Sequence, residues 1–400
     1  ATGRLLLLRR GHIDCLELLI NRRITLLLSI GLLVVAGAAY SVFHSAAAEE
    51  SLLTLNSASY HLDKLYRSME GPSSVQSDIE LAPSSHFDLP NRVASNAAKT
   101  TSPIQHFVWL TGIDTTIVDA KSQAQISPEY FCHSNLTFAE HGTTPEQYNA
   151  RLGGKIHFDW RLFSLVPGRS SIELPQGFGI PVPSDASLDY FTMSLNQNPR
   201  NEVDVRMRTH LHTVSPDETN APTKALFRRA VYVLQHEGAG AHSAADHKSC
   251  NAKSLDHVGA GCGEWKTVTA ANGSTMLMPV EGMTNHWTVP PGHHVYQSDI
   301  TPQLNLPFDT TIHYATIHVH PFARGMELRD LTTGKAVLQL NSRDWTDRIG
   351  VAHVDEFKST RGLPITRGHH YQLSVDYDNT SAADTDAMAI LYLYLLERQI

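Results

Sequence analysis

The chain is written in short runs of alternating apolar and polar residues, broken every few positions by proline, glycine, asparagine or aspartate. Alternation sends successive side chains to opposite faces of an extended backbone, so each run reads as a strand half-buried against a core. The runs fall at 106–111, 130–138, 155–165, 188–195, 203–213, 230–235, 276–279, 285–289, 310–320, 326–330, 335–340, 370–377 and 387–396. The longer period of an amphipathic helix is scarce. Many short strands at this spacing predict an all-β chain of two antiparallel β-sandwich, jelly-roll-like domains.

Four hundred residues suffice for two domains and a leader. The segment 216–222 places Asp217, Glu218, Thr219 and Asn220 between Pro216 and Pro222. It predicts a boundary between an N-terminal sandwich at 101–216 and a C-terminal one at 223–400. Residues 236–263, rich in glycine and histidine, read as a loop inserted in the second domain. Residues 49–100 are rich in Ser, Ala, Asn and Pro with weak periodicity, and read as a linker or loosely docked arm.

The chain begins with Ala1, and residues 1–23 are basic, which reads as upstream sequence or a fragment boundary. An apolar stretch at 24–42 follows Arg22 and Arg23, and Ser45-Ala46-Ala47-Ala48-Glu49 offers small residues to a signal peptidase. Residues 1–48 therefore read as a secretory signal peptide. The rival is an uncleaved membrane anchor, since the apolar run is close to the shortest that spans a bilayer. Either way the body of the protein is exported: periplasmic, extracellular, or anchored outside the cytoplasm.

Composition adjusts this picture in two ways. Lys and Arg number 32 against 40 Asp and Glu, a net charge of −8, which argues against a nucleic-acid partner. Histidine is abundant at 23, mostly after position 200, and invites a metal. Of four cysteines, Cys15 falls in the leader and Cys132 stands alone. Cys250 and Cys262 lie close together, and an oxidising compartment favours a disulfide between them. A zinc site from His247, Cys250, His257 and Cys262 is the alternative, with His236 and His242 nearby. Asn135, Asn272 and Asn379 open glycosylation sequons.

The sharpest chemical signal is His318-Val319-His320 in the run 310–320. Residues two apart on a strand share a face, so the two imidazoles can serve one copper or zinc ion. Met388, in the run 387–396, brings a thioether. Two imidazoles and a thioether suit copper, which cycles between Cu(I) and Cu(II), better than zinc. His313 has odd spacing from His318 and falls on the opposite face. His286, His293 and His294 flank a Pro-Pro-Gly turn.

An ordered series of segments resembles the copper type II, ascorbate-dependent monooxygenases, the family of peptidylglycine α-hydroxylating and dopamine β-monooxygenases. Leu174-Pro175-Gln176-Gly177-Phe178-Gly179 resembles a family turn, and the runs at 188–195 and 203–216 resemble the strands that follow it. Val289-Pro290-Pro291-Gly292 before Asp299-Ile300 is similar to a family Pro-Pro-Gly segment. His318-Val319-His320 and Met388 fall at the positions of the family's copper His-x-His pair and copper methionine. The resemblance covers about residues 125–400.

The resemblance implies two sandwich domains with one copper each. Copper held by His318, His320 and Met388 would activate dioxygen and hydroxylate a C–H bond of a small substrate, with an external reductant such as ascorbate. The second copper would fall on Cys132 and His133, where only His133 keeps the family's residue type. Its third histidine falls near Asn196 and is missing; His210 or His212 is the candidate substitute. Thr316 stands where the peptide-amidating enzymes carry a carboxylate-binding Arg, and Ile390 where they carry an Asn, while the family's substrate Tyr is kept as Tyr392. A glycine-extended peptide is therefore not the expected substrate. Two other readings stay open: a non-catalytic copper-binding or redox module, and a structural β-sandwich.

Overall fold

The computed structural model describes residues 51–57, 59–62, 87–88, 107–138, 147, 149–150, 157, 159, 161–183, 186–197, 203–236, 266–269, 275–278 and 283–398. The fold is all-β: the named elements among these residues are strands apart from one short 3-10 turn at Pro128–Tyr130 and one four-residue helix at Thr301–Leu304, and Gln147, Asn149 and Ala150 are helical. No helix among them is long and apolar enough to cross a membrane. The leader segment 1–48 lies outside the described residues.

The largest sheet runs in the order Ser51–Asn56, Val203–Val214, Phe107–Asp119, Phe178–Pro183, Lys224–Tyr232, Ala389–Leu396, Thr310–Val319, Glu356–Ile365. Its neighbours pair antiparallel except where Lys224 meets Phe178 and Ala225 meets Gly179, which run parallel. This contact joins the sheet across Pro216–Pro222, where the sequence predicts a boundary. A four-stranded sheet of Phe87–Asp88, Ser187–Ser194, Phe131–Phe138 and Arg161–Leu165 belongs to the front half. A five-stranded sheet of Gly292–Asp299, Tyr371–Asn379, Ala323–Asp330, Lys335–Asp344 and Val351–Val354 belongs to the rear.

Burial explains which runs the pattern finds. Tyr371–Asn379 alternates buried and half-buried residues without a break, as one wet face and one dry face require. Ala389–Leu396 does not alternate, because both its faces are covered. Leu391, Leu393 and Leu395 enter the rear core, while Tyr394 joins Tyr314 in the front core. At the turn between Val166 and Arg169, Gly168 takes φ +76°, and a Cβ there would stand 2.8 Å from the His353 backbone. Only glycine lets these two chain segments approach so closely.

Several boundaries differ from the sequence pattern. The run at 106–111 continues as Phe107–Asp119, and the run at 230–235 belongs to a strand that starts at Lys224. Ser51–Asn56, placed by sequence in a linker or arm, is a strand paired along its full length with Val203–Val214. Gly292–Asp299 and Glu356–Ile365 were not foreseen. Both are mostly exposed or half-buried, and their few apolar residues are too sparse among polar ones to signal a strand.

Candidate metal centre

Two antiparallel ladders run out at the same residue. Thr310–Val319 pairs with Ala389–Leu396 so that His318 faces Ile390 and Val319 faces Ala389. One step further sets His320 opposite Met388. Trp287–Val289 pairs with Thr385–Ala387 so that Trp287 faces Ala387, and one step further sets His286 opposite Met388 from the other side. Met388 is the single-residue break between Thr385–Ala387 and Ala389–Leu396, rather than part of one continuous strand. The buried Tyr377 hydroxyl fixes this junction: it donates to the Met388 carbonyl at 2.9 Å and accepts from the His320 N–H at 3.4 Å.

His318, His320 and Met388 all line one cavity of about 300 Å³. His318 is 5% exposed, and its Nδ1 is buried with no hydrogen-bond partner. Burial, then the neighbouring His320, His133 and His286, push its pKa well below the ordinary imidazole range. It is neutral at neutral pH, the form that donates a lone pair to a metal. His320 donates its Nδ1–H to Asp386 Oδ2 at 2.8 Å, which sets the tautomer and leaves Nε2 as the donor atom, the usual arrangement of a metal-binding histidine.

The ring centres of His318 and His320 lie 5.5 Å apart, those of His286 and His320 5.4 Å, and those of His133 and His318 6.3 Å. Two imidazoles bonded at about 2.0–2.1 Å to one ion have ring centres roughly 4.5 to 6 Å apart. One donor atom each from His286, His320 and Asp386 lie within 4.8 Å of one another. His318 is not part of this close set; it and Met388 line the same cavity, and an imidazole with an unbonded nitrogen, a carboxylate-oriented imidazole and a thioether are donor types that suit copper.

The front half contributes Cys132 and His133. Neighbours on a regular strand face opposite ways, but Phe131–Phe138 shifts register against Ser187–Ser194 between Phe131 and His133. The extra residue of this bulge lets both side chains line the cavity. The Cys132 Sγ lies 3.4 Å from His133 Nδ1. Burial pushes the Cys132 thiol up to about 12, with the Asp386 charge adding to it. Burial, followed by the charges of Arg161 and His320, lowers His133 to about 3. The pair is a neutral thiol beside a neutral imidazole.

His210 and His212 do not join this pair, which corrects the expectation that one of them replaces the missing third histidine. In Val203–Val214 the odd-numbered residues Met207, Thr209 and Leu211 are buried, so the even-numbered histidines face outward. Both are satisfied by Asp114: His210 Nδ1 to Oδ1 at 3.0 Å and His212 Nε2 to Oδ2 at 2.8 Å. Asn196 is buried and is not among the lining residues. His313 lies off the cavity, bonded to Thr311 and the Ser359 carbonyl and stacked on Phe178.

Tyr392 lines the cavity, with the Arg228 guanidinium 4.7 Å above its ring. Arg228 is held by Asp159 at 2.7 Å and Ser164 at 3.0 Å. Thr316 is fully buried and its hydroxyl donates to the Asp355 carbonyl, so that position presents no cation. Cys250 and Cys262, with His242, His247 and His257, lie outside the described residues.

Sequence reasoning missed His286, Asp386 and the cavity residue Arg161. Asp386 is two residues before Met388 and His286 immediately precedes the strand Trp287–Val289, but only the cross-strand register reveals that both approach His320.

No protein-family model and no curated protein matches the chain. Among solved structures it is similar to the major capsid protein P2 from bacteriophage PM2, at 10% identity and TM-score 0.27, over 87% of this chain and 98% of that one. It is also similar to the STIV MCP, at 9% identity and TM-score 0.28, over 87% and 97% of the two chains. At these scores neither likeness carries an argument about fold or function.

Proposed function

We propose that the chain is an exported copper protein of the ascorbate-dependent monooxygenase type, which hydroxylates a C–H bond of a small molecule with dioxygen and an external reductant such as ascorbate. The observation that carries this reading is His318: a buried, neutral imidazole with an unbonded nitrogen, beside a carboxylate-oriented His320 and the thioether of Met388. When bound, copper would supply the one-electron redox chemistry that dioxygen activation needs, and the soft sulfur favours its Cu(I) form. His318, His320 and Met388 hold the ion, and Asp386 orients His320. Phe322, Trp345, Tyr232 and Ile390 wall the cavity and limit water at the reacting atoms. Tyr392 is the substrate-facing residue in this reading.

A second reading is a non-catalytic copper-binding or redox module. It is favoured by the front half, where, among the described histidines and cysteines, His133 and Cys132 alone line the cavity, while His210 and His212 are engaged by Asp114.

Metal analysis of the purified chain tests the first claim: copper should be bound, and His318→Ala should lose it. Unchanged copper in His318→Ala would place the metal elsewhere. Met388→Ile should weaken Cu(I) more than Cu(II); equal loss would remove the soft-ligand role. Ascorbate-driven oxygen consumption across a broad substrate panel separates the two readings, and its absence favours the module.

A further inference from the structure

His286 sits at the end of the ladder between Trp287–Val289 and Thr385–Ala387, on the opposite approach to Met388 from His320. We propose that His286 is a further protein ligand of the metal centre, so that the ion is gripped from two separate ladders; this rests on the copper reading above. His286 is 7% exposed and lines the cavity with His318, His320 and Met388. Its ring centre is 5.4 Å from that of His320, and its donor atom lies within 4.8 Å of those of His320 and Asp386.

The backbone of His286 is fixed by Thr284. The Thr284 hydroxyl donates to the His286 carbonyl at 2.8 Å and accepts from the His286 N–H at 3.0 Å. The next side chain, Trp287, is 1% exposed and packs against Tyr296 and Tyr377. Tyr377 in turn bonds to Met388 and His320. One aromatic cluster thus positions His286, Met388 and His320 together, as a preorganised ligand set requires.

The addition changes the chemistry. His318, His320 and Met388 alone leave coordination positions open on the ion. A fourth protein ligand occupies a position that an incoming small molecule would otherwise take. His286 therefore governs both how tightly the ion is held and how accessible it is.

The test uses the full chain loaded with Cu(II). Pulsed electron paramagnetic resonance counts the coordinated imidazoles, and competition with a chelator gives the affinity. His286→Gln should show one imidazole fewer than wild type and bind copper more than about tenfold more weakly, at least the loss an outer-sphere partner produces. An unchanged count and affinity, with copper still lost in His318→Ala, overturns this inference and leaves the copper reading standing. A wild-type chain that binds no copper overturns both. Should His286→Gln not fold, His286→Asn takes its place under the same two readouts: one imidazole fewer and weaker copper binding support His286, and an unchanged count and affinity overturn it.

Discussion

The chain carries two His-x-His pairs on strands, and they lead different lives. His210 and His212 lie on the outer face of Val203–Val214, each side chain 27% exposed and shared out on one carboxylate, Asp114. His318 and His320 lie where two ladders end against a cavity, with His318 5% exposed and carrying an unbonded buried nitrogen. Spacing is identical in the two pairs. Alternation dictates that both imidazoles share a face, but the face itself is chosen by the rest of the sheet. On the outer face water and Asp114 satisfy the rings. On the inner face a buried imidazole without a partner is costly, and a metal ion would remove that cost.

The largest effect that tests this contrast is on metal content. Removing the imidazoles of His318 and His320 together should abolish copper binding, while the double alanine variant of His210 and His212 should keep its copper, both read by elemental analysis of the purified chains. Equal losses from the two pairs would erase the distinction. Next in size is the carboxylate beside each pair. Asp386→Asn should weaken copper by about 10- to 100-fold in chelator competition, because His320 loses its fixed tautomer. Asp114→Asn should leave copper affinity where it was.

A smaller effect concerns the frame. Tyr377→Phe removes a buried hydroxyl that ties Met388 to His320 and should cost about 1–2 kcal/mol in urea unfolding. No loss would show that the junction is held by packing alone. The smallest is a pH dependence in the turn after the inner pair. Asp344 Oδ2 accepts from the Phe322 N–H at 2.7 Å, yet burial raises its pKa to about 6. Between the ordinary carboxylate value of about 3.9 and this one, the folded chain keeps a proton that the unfolded chain has released. The stability from this group is present below about 4 and lost as pH rises through 6. Asp344→Asn should flatten that segment of the stability–pH curve, and an unaltered slope would refute the assignment.

Much of the sheet structure is legible along the chain, because Tyr371–Asn379 and Val203–Val214 show one wet and one dry face. Ala389–Leu396 is legible by apolarity alone. Gly292–Asp299 and Glu356–Ile365 are not, since these edge strands carry few inward apolar residues, Tyr296 in one and Phe357, Leu363 and Ile365 in the other, too sparse to declare a face. At the cavity, local spacing picks out His318, His320 and Met388, because residue type and chain order suffice for that suggestion. His286 and Asp386 escape it. Their place depends on a register between segments about a hundred residues apart along the sequence. Cys132 and His133 share the cavity only through a bulge, which alternation cannot foresee. His210 and His212 were misjudged because period two gives parity without direction.

The parallel contact of Lys224 and Ala225 with Phe178 and Gly179 has a mechanical consequence. A protease that nicks the polypeptide between Ser215 and Pro222 would cut a tether but not a hinge. The two fragments would remain clasped through the shared sheet and travel together on a sizing column until denaturant unzipped them.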